Sequence, residues 1–203
     1  MHTTSISLLQ RLHAPSDETA WQRLLDLYQP LIQHWLRRSG LQSADVDDLV
    51  QDVLGVVVRK LPEFQHDERR GSFRAWLRAI TVNRVRDFWR KQGARALATG
   101  NSECLQALDQ LEDPHSHLSH LWDQEHDRHV LRRLTELIEP EFKPSTWQAF
   151  RRHVMEGQAA DQVAAELGLS VNAVLIAKSR VLQRLREESQ GLIEDPPSLT
   201  PTP

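Results

Sequence analysis

Apolar residues recur every three or four positions along almost the whole 203-residue chain, and no long stretch alternates apolar with polar residues. A repeat of three and four places apolar side chains on one face of an α-helix, whereas a half-buried strand needs a repeat of two. Amphipathic helices bury such faces by packing against one another. The sequence therefore predicts an all-α fold.

Proline, glycine and capping residues divide this pattern into separate helices. Two are predicted over 17–38 and 44–61, with Ser16 and Ser43 as N-caps, and a third begins after Gly71 with Ser72 as its cap and fades near Gly93. Periodicity weakens over 93–116, where Gly, Asn, Ser, Asp and Pro collect and where one short helical piece is expected. Further helices are predicted over 118–139, 144–155, 159–167 and 171–188.

Two small helical domains joined by a flexible linker fit this layout. We place the first domain at 1–95, the linker at 96–127, the second domain at 128–190 and a proline-rich, disordered tail at 191–203.

The charge of the chain is unevenly distributed. The net charge is −3, but residues 67–95 contain nine cations and three anions, so this segment carries +6 and the remainder −9. A local basic field on an acidic protein is typical of a nucleic-acid contact.

A helical wheel divides the basic segment into two faces. Phe73, Trp76, Leu77, Ile80 and Phe88 share a stripe that is expected to join the core. The other face carries cations and one aromatic side chain, a combination that can follow a phosphate backbone and stack an unpaired base. Few acids stand at i±4 to neutralise it, which argues against a merely solvated surface. The residues of this face are Arg74, Arg78, Arg86, Trp89, Arg90 and, at its end, Lys91.

Residues 159–186 have the spacing of a helix-turn-helix. Ala164 is small where two helices would cross, Gly168 suits a left-handed turn, and Val174 returns to the core. Ser170 suits the N-cap of the second helix. This spacing predicts DNA binding, although helical hairpins with a glycine turn also occur without it. The candidate DNA contacts are Ser170, Asn172, Ile176, Ser179, Arg180 and Gln183.

Ile176 has two interpretations on that face. It is either a singly exposed apolar residue, which is common, or a contact to a thymine methyl group in the major groove.

Other kinds of site are poorly supported. Cys104 is the only cysteine, and five histidines between His115 and His129 are expected to be solvated rather than to bind zinc. The chain has no glycine-rich phosphate loop, nucleophile elbow or HExxH motif, so we expect no cofactor, no metal and no enzymatic activity. It also has no signal peptide and no apolar run of membrane-spanning length, so a cytoplasmic protein without membrane insertion is expected.

The sequence "DDLVQDVL" at 47–54, followed by "FRAWLRAITVNRVRDFWRK" at 73–91, resembles region 2 of bacterial RNA polymerase sigma factors of the extracytoplasmic-function (ECF) type. The helix-turn-helix resembles region 4 of the same family, whose members consist of these two domains. The resemblance covers about 16–95 and 128–188.

The resemblance implies partners and site residues. The partners would be core RNA polymerase and promoter DNA, with an anti-sigma factor as a further candidate. Asp47, Asp48, Gln51 and Asp52 match the helix that docks on polymerase. Phe64 and Asn83 match positions that hold an extruded base of the −10 element, beside the basic face, and the helix-turn-helix contacts would read the −35 element.

Two departures limit what the resemblance implies. "QHDERRGS" makes the loop between Phe64 and Asn83 longer than usual, and "VLIAKSRVL" puts Leu175, Ile176 and Ala177 where polar or basic residues are common. Promoter preference is therefore not transferred. A stand-alone helix-turn-helix regulator and a sigma-like interaction module without promoter activity remain alternatives.

Overall fold

The structure, a computed structural model, describes residues 7–12, 17–38, 41–64, 72–92 and 102–193. It divides the chain into an N-terminal unit, mainly Leu8–Val130, and a C-terminal unit, mainly Leu131–Gln190. The described residues form nine α-helices and no β-strand, which confirms the all-α prediction. The predicted tail spans 191–203, of which 194–203 lie outside the described residues, as does the predicted cap Ser16. Leu192 and Ile193 are described and buried, so the expectation of a disordered tail is wrong at these two positions.

Six helices begin in the N-terminal unit. They are α1 (Leu8–Leu12), α2 (Glu18–Arg38), α3 (Ser43–Lys60), α4 (Ser72–Gln92), α5 (Ser102–Glu112) and α6 (His117–Ile138), the last of which contains the boundary between the units. A single 3₁₀ turn, Leu61–Glu63, follows α3. The bounds of α2, α3 and α4 agree with the prediction to within one residue.

The starts of α2 and α3 differ from the predicted caps. The Asp17 carboxylate accepts a hydrogen bond from the Ala20 N–H at 2.9 Å and pairs with Arg11 at 2.8 Å, so an aspartate satisfies the first turn of α2. Ser43 is already helical, and Gln42 is the N-cap of α3 without a side-chain bond. The short α1, which supplies Arg11, was not predicted.

The core of the N-terminal unit lies among α2, α3 and α4. Each helix turns one apolar face inward, as its periodicity predicts, and each buried aliphatic or aromatic side chain contributes about 1.5–3 kcal/mol. The most deeply buried members include Leu24, Leu27, Ile32, Val46, Val53, Val57, Leu61, Phe73 and Leu77.

The segment predicted as a linker is largely helical and belongs to the N-terminal unit. Leu108 and Leu111 of α5 and Trp122 and Val130 of α6 are buried. The unit therefore extends to Val130 rather than ending at 95, which corrects the predicted linker over 96–127. The apolar positions of α5 and α6 explain the difference, because their burial stabilises the packed segment.

Helix α6 packs on α2 through aromatic side chains. The Trp35 and Trp122 rings lie 4.6 Å apart, and the Tyr28 hydroxyl lies 3.4 Å from Nε2 of His126. The ring of His129 donates to the Leu27 carbonyl at 2.8 Å. His126 is fully buried and His129 is half-buried, so the expectation of solvated histidines is wrong for these two residues, whereas His115, His117 and His120 are exposed as expected.

Burial lowers the pKa of His126, and the hydrogen bond from its Nδ1–H to the Asp127 carboxylate, 2.9 Å long, offsets only part of this effect. Of the other charges near the ring, Arg74 lowers its pKa further and Asp123 raises it. The folded state therefore holds a neutral imidazole that accepts from Tyr28 and donates to Asp127.

The C-terminal unit contains a helix-turn-helix. Helix α7 (Pro144–Phe150) continues into a π-helical turn (Arg151–Met155), and α8 (Ala160–Leu167) and α9 (Val171–Ser189) follow, with 107° between them. Gly168 has φ +65°, and the Ser170 hydroxyl accepts from the Ala173 N–H at 3.1 Å, so both predicted turn residues are confirmed. The core of the motif contains Ala149, Val163, Ala164, Val174 and Ala177.

Within the described ranges, no single helix is long and apolar enough to span a membrane; α8 and α9 pass such a test only when counted together across their bend.

Two glycine substitutions should change stability in opposite directions. Gly168→Ala puts a side chain on left-handed backbone and should destabilise the C-terminal unit by about 1–2 kcal/mol. Gly55→Ala lies inside α3, where an added Cβ meets only the Arg59 side chain at 3.5 Å, and should stabilise the N-terminal unit by about 0.5–1 kcal/mol. Urea unfolding measures both; equal effects of the two changes would contradict the backbone argument.

The buried His126 should make stability depend on pH. In the unfolded chain the pKa of a histidine is about 6.5, and in the folded protein the pKa of His126 is lower. The unfolding free energy is therefore highest above pH 6.5 and decreases as the pH falls below it. We expect the unfolding free energy to fall by about 1 kcal/mol per pH unit below pH 6.5, and His126→Gln to remove this component. The exposed His120 supplies the control His120→Gln, which should retain it. The prediction fails if both variants show the parent's slope between about pH 7.5 and 5.5.

Candidate nucleic-acid interface

Helix α4 carries the predicted basic face. Its apolar stripe is buried as expected at Phe73, Leu77 and Ile80, while Trp76 and Phe88 are half-buried. The stripe fixes the rotation of the helix, and the rotation determines where the arginines lie.

Arg74 and Arg78 do not face solvent. They are 7% and 6% exposed, and their partners are carboxylates of α6. Arg74 Nε lies 3.1 Å from Asp123 and its Nη1 lies 2.6 Å from Asp127, while Arg78 Nη1 lies 2.6 Å from Asp123. Burial raises the pKa of Asp123, and the two guanidinium groups act in the opposite direction. The expectation of an open cationic face is therefore wrong at these two positions.

Arg86 is also paired, with carboxylates of α5. Its Nη2 lies 2.6 Å from Asp109, and its Nη1 bonds to Glu112. Asp109 and Glu112 are 74% and 47% exposed, so these pairs lie in solvent. The absence of acids at i±4 did not indicate unpaired arginines, because these partners come from 23 to 53 residues away in sequence.

The C-terminal part of α4 is more open. Asn83, Arg90 and Lys91 are exposed, and Arg90 pairs with Asp87 on the same helix at 2.8 Å. An exposed pair of this kind contributes little stability and yields readily to another partner.

Trp89 is half-buried rather than freely exposed. Burial raises the pKa of the Cys104 thiol on α5, and the nearby Trp89 indole acts in the opposite direction. Its ring also contacts Phe88, at 5.0 Å between centroids.

Phe64, which follows the 3₁₀ turn, packs on the N-terminal part of α4, whereas Asn83 lies further along that helix. The Phe64 ring packs 4.8 Å from Trp76 and 5.6 Å from Phe73. Trp76 precedes Asn83 by seven residues, which is about 10 Å along a helix axis. The Phe64 ring therefore packs on α4 about two turns before Asn83, and the loop 65–71 lies outside the described residues.

The predicted docking face of α3 is exposed. Asp48, Gln51 and Asp52 share one side of the helix at i, i+3 and i+4, and Asp47 adjoins them. Gln33 of α2 donates to the Asp47 carboxylate at 3.0 Å. The exposed acids form a compact negative surface on a helix whose opposite face is held in the core.

The outer face of α9 is exposed along its length. All six predicted contacts are solvent-accessible, namely Ser170, Asn172, Ile176, Ser179, Arg180 and Gln183. Val171 and Leu175, which the sequence reasoning did not select, are 45% and 46% exposed beside Ile176 at 42%. A helical wheel extended by one turn could have found them.

No cluster of His, Cys, Asp and Glu in the described part of the chain has the geometry to hold a metal ion.

The sequence matches the family model of sigma-70 region 2 over residues 24–95, which covers most of α2 and all of α3 and α4. It is 26% identical to the ECF RNA polymerase sigma factor SigD of Mycobacterium tuberculosis over 85% of this chain and 78% of that protein.

Two other relatives match a shorter part. The chain is 31% identical to the RNA polymerase sigma factor CnrH of Cupriavidus metallidurans over 43% of its own length and 44% of that protein. It is 29% identical to the ECF RNA polymerase sigma factor RpoE of Cereibacter sphaeroides over 44% of its own length and 48% of that protein. Over α2–α4 the chain is therefore similar to region 2 of the sigma-70 family, and the relatives that it matches are sigma factors, two of them of the ECF group.

Proposed function

We propose that this protein is an ECF-type sigma factor that binds core RNA polymerase, recognises the −35 and −10 promoter elements and promotes initiation of transcription. The observation that carries the proposal is the region 2 match over α2–α4, the same helices that present the acidic face and the basic face. The chain itself would perform no catalytic step, because bond formation belongs to the polymerase.

Docking on polymerase is assigned to the exposed face of α3. Asp48, Gln51 and Asp52 project together from a helix fixed by its buried side, so their charges are presented without a reorganisation cost. Carboxylates in such an arrangement fit a basic surface on the partner and would direct the encounter.

Reading of the −10 element is assigned to α4 and Phe64. Asn83 is exposed, and an amide can both donate to and accept from a base edge, whereas arginine can only donate. Arg90 and Lys91 lie within reach of the same strand at the open end of the helix. Phe64, Arg74, Arg78, Arg86 and Trp89 complete the proposed surface.

Reading of the −35 element is assigned to the exposed face of α9. The 107° helix-turn-helix presents the N-terminal half of its second helix, as a major-groove reader requires. Ile176, and with it Leu175, would contact thymine methyl groups, while Asn172 and Arg180 would hydrogen-bond to base edges or phosphates.

Two finer parts of the proposal rest on the family resemblance alone. One is that an anti-sigma factor binds this protein. The other is that the protein acts in the cytoplasm, where polymerase and promoter meet.

Run-off transcription with purified core polymerase on a panel of genomic promoters tests the proposal. A sigma factor gives promoter-specific transcripts and binds duplex DNA weakly without polymerase. A stand-alone regulator binds promoters tightly by itself, and an interaction module binds polymerase without producing a transcript. Either of the last two results would contradict the proposed function.

Charge reversal on α3 should weaken polymerase binding. Asp48→Lys with Asp52→Lys should cost about 1–3 kcal/mol in affinity for core enzyme if the pairs are desolvated. Folding should be preserved because both side chains are exposed. The control Asp113→Lys with Glu139→Lys makes the same change in net charge at exposed sites away from α3. Fluorescence titration measures both affinities, and an unchanged value for the α3 variant would place docking elsewhere.

Substitutions at Asn83 and Arg90 should change the binding of −10 DNA in different ways. Asn83→Ala should flatten discrimination among single-stranded −10 variants, whereas Arg90→Ala should weaken binding to all of them and lower the salt slope by about 0.7, or one phosphate contact. Anisotropy titrations at two salt concentrations measure both effects. If Asn83→Ala loses affinity equally for every variant, or loses none, base reading by this amide is wrong.

A further inference from the structure

Three of the four α4 arginines assigned to −10 DNA bind carboxylates of other helices in this chain. Asp123 and Asp127 on α6 hold Arg74 and Arg78, and Asp109 and Glu112 on α5 hold Arg86. Both acidic helices belong to the N-terminal unit together with α4.

We propose that α5 and α6 occupy the DNA-binding face of α4 as an internal competitor of the −10 strand, so that this strand binds only after their carboxylates have left. The proposal rests on the proposed function in one respect: it takes α4 to be the surface that meets single-stranded DNA.

The pairs occupy donors of both buried arginines. Arg74 donates from Nε to Asp123 and from Nη1 to Asp127, which are two separate carboxylates. Arg78 donates through Nη1 to Asp123 at 2.6 Å, and the same nitrogen lies 3.5 Å from the Ser119 carbonyl oxygen. While these bonds persist, a phosphate would have to compete with the carboxylates for Nε and Nη1 of Arg74 and for Nη1 of Arg78.

Burial makes the exclusion steric as well as electrostatic. The Arg74 and Arg78 side chains are 9% and 7% exposed, and α6 is held over them by the contacts of Trp122 and His126 with α2. A DNA strand can reach these guanidinium groups only if α6 moves away.

The two helices differ in how firmly they block α4. The α5 pairs are exposed, where an ion pair contributes little and is screened by salt. The α6 pairs are partly buried, where removal of one partner leaves an uncompensated charge. Helix α5 should therefore exchange for DNA readily, whereas displacement of α6 should limit binding.

The charges of Asp123 and Asp127 can be removed without changing the size of the side chains. The full chain with Asp123→Asn and Asp127→Asn should bind a single-stranded −10 oligonucleotide about tenfold more tightly than the parent, within the roughly 5- to 150-fold typical of coupled sites. The slope of log affinity against log salt should steepen by about 0.7 for each arginine released. Fluorescence anisotropy without polymerase measures both quantities.

A second variant covers the risk that the first fails to fold. Asp109→Asn with Glu112→Gln removes two exposed partners of Arg86 and should give a smaller gain, about two- to fivefold, with one phosphate contact added to the slope. The matched control is Asp113→Asn with Glu139→Gln, which removes two exposed charges outside the pairs with α4 and should bind as the parent does.

Tighter binding by the α5 or α6 variant than by the control supports the proposal. It is overturned if the folded variants bind with the affinity and salt slope of the control. Run-off transcription with the same samples separates this result from the proposed function. If the parent initiates transcription at promoters and its variants show no gain in DNA affinity, the sigma function stands and the internal competitor is wrong. If the variants gain affinity and no sample initiates transcription, the internal competitor stands and the sigma function is wrong.

Discussion

The N-terminal unit depends on one cluster of charges between α4 and α6, formed by Arg74, Arg78, Asp123 and Asp127. Two guanidinium groups that are nearly inaccessible to water need nearby carboxylates, because an unpaired buried charge costs several kcal/mol. That requirement holds α6 beside α4 and makes the segment after residue 102 part of the domain. The aromatic contacts of α6 with α2 then add apolar burial to the same arrangement.

Such a cluster is better suited to controlling access than to adding stability. In a partly buried ion pair the attraction between the charges roughly equals the cost of removing them from water, so the net contribution to folding is small. Such pairs nevertheless discriminate strongly between partners. A polyanion that supplies phosphates can replace carboxylates at little net cost, and apolar packing cannot be exchanged in that way. Arg74 and Arg78 can therefore pair with the carboxylates of α6 in the free chain and with phosphates in a DNA complex.

The sequence predicted local features well and long-range pairs poorly. Helical periodicity located α2, α3 and α4, and turn chemistry located Gly168 and Ser170, because these features depend on residues a few positions apart. The partners of Arg74, Arg78 and Arg86 lie 23 to 53 residues away, where a search at i±4 has no information. Histidines in a polar-looking segment were expected in solvent, but His126 is buried because α6 packs on Tyr28. The exposed face of α9 followed from its helical periodicity, whereas the docking face of α3 was expected only from the family resemblance.

Amide hydrogen exchange over 117–130 tests the central claim most directly. In the free chain these amides should exchange slowly, because α6 is held against α4 and α2. On addition of single-stranded −10 DNA they should exchange faster while the amides of α3 remain protected. If saturating DNA binds and leaves residues 117–130 as protected as in the free chain, α6 does not cover the DNA-binding face of α4.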